Sequence, residues 1–177
     1  LSLAKLSTPN PATTSEAAGP SLDLSVVVPV YNERDNLTLL HEELHAAIKP
    51  LGITYEILYI DDGSTDGSDS ALEEIQREDP FTLVLTLRRN FGQTAALAAG
   101  FDYARGEVII TMDADLQNRP GDIPKLLERI RDYDIVSGWR KKRKDPFWTR
   151  RFPSIVANRL ISWITGVRLR DYGCTLK

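Results

Sequence analysis

Five short apolar runs, each closed by a polar stretch and parted from the next by a helix-length segment, constrain this chain more than any other feature. "SVVVPVY" (25–31), "YEILYID" (55–61) and residues 82–88, 107–113 and 134–138 have the length and apolar, β-branched content of strands. Between the first two, Leu37, Leu40, Leu44 and Ile48 recur at helical spacing and stop before Pro50 and Gly52. Residues 67–78, 93–104 and 122–132 read as further helices. Strands alternating with helices predict an α/β fold, a three-layer sandwich whose mainly parallel central sheet carries helices on both faces.

In sheets of this kind ligands bind outside the carboxyl ends of the strands. The polar stretches all follow strands: "PVYNE", "IDDGSTD", "RRNFGQ", "MDADLQ" and "SGWRKKR". All five therefore converge on one rim. Asp113 and Asp115 alternate at the end of the fourth strand, so both carboxylates can reach one point. Two like charges held close are costly unless a cation lies between them. Oxygen ligands without nearby His or Cys suit a hard ion, Mg²⁺ or Mn²⁺, and Gln117 can add another oxygen. An isolated D-x-D is also common in solvated turns and helix caps.

"DDGSTDGS" supplies a tight glycine turn, with Asp66 or Ser68 placed to cap the next helix. Asp61 or Asp62 can accept hydrogen bonds from a base or ribose, Tyr31 offers an aromatic face, and Glu33 offers an acceptor. A different pattern, "HEELH" (41–45), matches the H-E-x-x-H of zinc proteases. These are the only two histidines in the chain. A third ligand would have to be a carboxylate, and the leucine stripe accounts for the helix by ordinary packing.

At 177 residues the chain fits one domain. Residues 1–23, rich in Ser, Thr, Pro and Ala without an apolar period, predict a disordered tail before a domain over 24–177. The net charge of −3 gives no reason to expect nucleic acid as a partner. Residues 140–151, "RKKRKDPFWTRR", nevertheless hold seven of the 22 Lys and Arg. The single cysteine, Cys174, fits a reducing compartment, and no run reaches the roughly 18 apolar residues of a membrane span. A dinucleotide dehydrogenase would need G-x-G-x-x-G after a strand, and a phosphate-loop NTPase its lysine-bearing glycine loop; neither is present. A response-regulator module would carry its acidic pair after the first strand, whereas here the pairs follow the second and fourth.

With "VVVPVYNE", "IDDGSTDGS", "RRNFGQTAAL", "MDADLQ" and "SGWR" in this order, the chain resembles the family 2 glycosyltransferases of GT-A fold. The branch it resembles contains dolichol-phosphate mannose synthase and the bacterial polyprenyl-phosphate sugar transferases. The resemblance covers about residues 24–177. It implies that Pro29, Tyr31, Glu33, Asp61 and Asp62 bind the nucleotide, that Asp113, Asp115 and Gln117 hold the metal, and that Arg140 joins Asp113 and Asp115 in catalysis near the phosphates. It further implies inverting transfer of a hexose from a UDP-glucose or GDP-mannose type donor to a polyprenyl phosphate. A glycan acceptor, or an inactive nucleotide-binding fragment, is the alternative.

The basic run and the apolar periodicity of 152–165 then predict contact with a membrane surface through 141–165, at its cytoplasmic face. Relatives are expected to continue past "DYGCTLK", where Asp171 would lie near the donor sugar, so the chain reads as C-terminally truncated against the family.

Overall fold

The computed structural model describes residues 22–138 and Leu176. Among the described residues, four strands form one sheet: β1 (Leu22–Val30), β2 (Tyr55–Asp61), β3 (Thr82–Thr86) and β4 (Gly106–Thr111). Their order is β3-β2-β1-β4 and every pairing is parallel. The helices are α1 (Arg34–Ile48), α2 (Ser68–Glu78), α3 (Gln93–Tyr103) and α4 (Ile123–Arg129). The α/β class and its mainly parallel sheet are thus as the sequence predicts.

Central parallel strands are covered on both faces, and so they read as unbroken apolar runs. All of β2 is buried. Tyr55, Ile57 and Tyr59 join Leu24, Val26, Val28 and Val30 in the larger core, which takes Leu37, Leu40, Leu44 and Ile48 from α1, Leu72 from α2 and Ile123 from the start of α4. On the opposite face Val27, Leu58 and Ile60 meet Ala96 of α3. Gly100 lets α3 lie close to the sheet, because a Cβ there would overlap the Val27 side chain. The polar positions on this second face are paired. Ser25 Oγ donates to Glu56 Oε1 at 2.6 Å, while Arg105 donates from its backbone N–H to Oε1 at 2.8 Å and from Nη2 to Oε2 at 2.6 Å.

Several bounds differ from expectation; β3 and α4, for example, end at Thr86 and Arg129, earlier than the sequence suggests. β1 begins at Leu22, two residues inside the expected tail, because Asp23 is anchored to Thr54: its carboxylate accepts from Thr54 N and Oγ1, both at 2.7 Å. β4 stops at Thr111; Met112 N still donates to Val27 O at 3.1 Å, after which the chain turns, with Leu116 at φ 58°. Residues 134–138, read from the sequence as a fifth strand, carry no strand among the described residues; Gly138 N donates to Leu176 O at 2.9 Å. Arg140, the stretch 141–165 expected at a membrane surface, and Asp171 lie outside the described residues.

Candidate functional site

Four of the five polar stretches meet outside the carboxyl ends of the strands. They enclose a cavity of about 320 Å³ lined by Pro29 at the end of β1, Tyr31 and Glu33 after it, Asp62 after β2, Asn90 and Gln93 ahead of and at the start of α3, and Asp113 and Asp115 after β4. Residues more than 80 positions apart are thereby brought together, because β1 lies between β2 and β4.

The two loops beside β1 are laced to each other. Asn32, left-handed at φ 56°, donates from its backbone N–H to Ser64 Oγ at 2.9 Å and accepts from Thr65 N at 2.8 Å. Glu33 N donates to Ser68 Oγ at 3.0 Å, and that hydroxyl donates to Asp66 Oδ1 at 2.6 Å. Asp66 Oδ2 accepts from Arg34 N at 3.1 Å. The hydrogen bond from Ser68 holds the Asp66 carboxyl below the usual aspartate range. Ser64, Thr65, Asp66 and Ser68 therefore act as turn and cap groups that shape the rim.

The paired aspartates after β2 part company. Asp61 is buried, its Oδ1 accepts from Ser64 N at 3.1 Å, and it does not line the cavity. Asp62 lines it, with Oδ1 accepting from Phe91 N and Oδ2 from Gly92 N, each at 2.8 Å. Both oxygens thus pin the loop that leads into α3. Gly63 allows the two loops to touch: it sits at φ 71°, and a Cβ would lie 2.5 Å from the backbone carbonyl carbon of Arg89.

Asp113 Oδ1 accepts from Gln93 Nε2 at 2.7 Å, and Asp115 Oδ1 accepts from Gln117 N at 3.0 Å. Gln117 itself is exposed and lies outside the cavity lining. Tyr31 is 47% exposed, so a ring face is available at the mouth. Sequence reasoning gave no role to Asn90 or Gln93; the quoted stretch "RRNFGQ" marked their place but not their neighbours. At the cavity the donor set is carboxylate, without imidazole or thiol, which fits a hard divalent cation.

The family model described as "Glycosyl transferase family 2" matches residues 25–175. The chain is 48% identical over 160 residues to a dodecaprenyl-phosphate galacturonate synthase of Rhizobium johnstonii, covering 89% of this chain and 47% of that protein. It is 46% identical over 156 residues to an undecaprenyl-phosphate 4-deoxy-4-formamido-L-arabinose transferase of Pseudomonas paraeruginosa, covering 87% and 46%. Among solved structures, a mannosyltransferase from Pyrobaculum calidifontis in complex with GDP-Man and Mn²⁺ superposes with a TM-score of 0.59 at 23% identity, over 69% of this chain and 36% of that one. TarS of S. aureus in complex with UDP-GlcNAc gives 0.56 at 23% identity, over 71% and 37%. The chain spans about half the length of the curated relatives it matches.

Proposed function

From the premise that this chain belongs to glycosyl transferase family 2 and carries the GT-A fold, we propose that it is the donor-binding part of an inverting transferase that moves a sugar from a nucleoside diphosphate to a polyprenyl phosphate. The observation that carries the reading is the rim cavity, which collects Pro29, Tyr31, Glu33, Asp62, Asp113 and Asp115 at the carboxyl ends of three separate strands. The acceptor class rests on the two relatives, both named for a polyprenyl-phosphate product or substrate.

In this reading Pro29, Tyr31 and Glu33 form the base side of the donor site. Asp61 and Asp62 act by position, the first fixing the turn after β2 and the second the loop before α3. Asp113, oriented by Gln93, and Asp115 hold Mg²⁺ or Mn²⁺, with Gln117 beside them and Arg140 assigned to the donor phosphates on sequence alone. Bound there, the cation would offset the charge that develops on the departing diphosphate. The attacking phosphate oxygen needs no strong base, since the second pKa of a phosphate monoester is about 6. Direct displacement then inverts the anomeric carbon. The acceptor is met at the cytoplasmic membrane face, where the basic run 140–151 supplies attraction to anionic lipid of about 1 kcal/mol per residue.

The test is a melting series with UDP, GDP and ADP, each with and without Mn²⁺. Ligand at 100 times its dissociation constant stabilises a fold by about 2.7 kcal/mol. A rise with UDP or GDP that needs both Mn²⁺ and Asp115 supports the reading and selects the base; no rise with any nucleotide refutes it. Donors carrying glucose, mannose, a uronate or a formamido-pentose, assayed against undecaprenyl phosphate, then identify the sugar.

A further inference from the structure

The H-E-x-x-H of α1 has no part in the rim cavity, yet its two imidazoles converge on a third ligand. Residues one helical turn apart share a face, so His41 and His45 come side by side. Their Nε2 atoms are 3.2 Å apart. Asp79, which ends α2, brings Oδ2 to 3.1 Å from His45 Nε2 and 3.7 Å from His41 Nε2. Pro80 explains the placement: the residue before a proline is driven into extended backbone, and Asp79 stands at φ −119°, ψ 111°.

We propose that His41, His45 and Asp79 form a Zn²⁺ site that clips α1 to the α2–β3 connection, at the amino ends of β2 and β3 and so at the opposite end of the sheet from the donor cavity. Four ligands placed tetrahedrally at about 2.0–2.1 Å from Zn²⁺ lie about 3.3 Å from one another. The three separations here, 3.1, 3.2 and 3.7 Å, bracket that edge length. Imidazole with one carboxylate suits Zn²⁺ and disfavours Mg²⁺, which sets this site apart from the all-oxygen pair at Asp113 and Asp115.

The surroundings are those of a ligand set held from behind. His45 Nδ1 is 2.6 Å from Tyr55 Oη and His41 Nδ1 is 3.3 Å from Tyr59 Oη, so each ring has a partner on its far nitrogen. Asp79 Oδ2 accepts from Thr82 Oγ1 at 2.6 Å and Oδ1 from Phe81 N at 3.3 Å. Phe81, stacked on Tyr55 at 5.0 Å and edge-on to His45, walls one side with apolar surface. A cavity of about 360 Å³ beside His41, lined also by Glu42, Glu74 and Glu78, gives a cation an acidic approach and leaves room for a water as fourth ligand. Without a metal, one of the two facing Nε2 atoms has to carry a proton, and His45 Nε2 is placed to donate it to Asp79.

The experiment uses the chain without an affinity tag, freed of metal by chelation and titrated with Zn²⁺ and with Co²⁺. Three results are expected: one equivalent bound with the intense visible absorption of tetrahedral Co²⁺, both histidines protonated at Nδ1 in the ¹⁵N spectrum of the Zn²⁺ form, and binding kept by Asp113→Asn/Asp115→Asn. His41→Asn and Asp79→Asn should each weaken it at least about tenfold. The spectrum is unambiguous because the chain has two histidines only. The proposal is overturned by no binding, by a proton retained on His45 Nε2 with Zn²⁺ present, by loss of binding in Asp113→Asn/Asp115→Asn, or by unchanged binding in the two ligand variants. Should a ligand variant fail to fold, the wild-type spectra decide.

Discussion

At the scale of single residues, Asp62 and Asp113 line one cavity with the same functional group and have different hydrogen-bond partners. Asp62 spends both oxygens on the N–H groups of Phe91 and Gly92, so Asp62→Asn sets an amide donor against a backbone donor. A loss of about 1.5–3 kcal/mol in the unfolding free energy from urea denaturation is expected, as for a hydrogen bond to a charged group, together with weaker nucleotide binding as the loop shifts. Asp113→Asn keeps an oxygen for Gln93 and should melt within about 0.5 kcal/mol of the parent, yet lose the Mn²⁺-dependent response to nucleotide. If Asp62→Asn leaves stability untouched, its role as a clamp is wrong. The alternation of Asp113 and Asp115 behind an apolar run marks them as candidates, and the order of all five polar stretches, not the pair alone, carries their assignment. Asn90 and Gln93 were not legible, because an uncharged amide in a loop has no pattern of its own until its neighbour is known.

Elements show the same division between what local pattern reveals and what pairing decides. The four helices and the first four strands announce themselves by period, composition and Pro and Gly stops, whereas 134–138 has strand-like residues and carries no strand among the described residues. Composition reports what a segment tolerates; pairing also depends on residues distant in the chain. The Ser25, Glu56 and Arg105 cluster illustrates the opposite case, a polar interruption of buried strands that ties β1, β2 and the entry to β4. Burial pushes the Glu56 carboxyl up, but hydrogen bonds from Ser25 and Arg105 outweigh it and hold the group below the usual glutamate value. Because the folded value lies below the unfolded one, near 4.5, this contribution is complete above that pH and disappears as the pH falls through the folded value. Glu56→Gln should therefore cost about 1.5–3 kcal/mol at pH 7 and flatten the acid limb of a urea-midpoint series. Acid limbs of equal slope in the two proteins would remove the assignment.

For the whole molecule, alternation was sufficient to infer a parallel sheet with a functional rim. It did not reveal the order β3-β2-β1-β4, or that Asp79 would complete the pattern begun by His41 and His45, since both depend on packing between distant segments. Leu176 makes the same point: only 4% exposed, it joins the larger core although it lies far along the chain from the strands of that core. Leu176→Ala should cost about 2–5 kcal/mol by the usual cavity penalty, read from chemical denaturation. A change below 0.5 kcal/mol, the rough size of a surface effect, would show that this residue is not part of the core in solution. The central position of β1 also sets a timetable for synthesis. Leu24 pairs with Tyr55 on one side and Val108 on the other, so a nascent chain on the ribosome can assemble the Tyr31 wall of the cavity well before Asp113 and Asp115 emerge to close it.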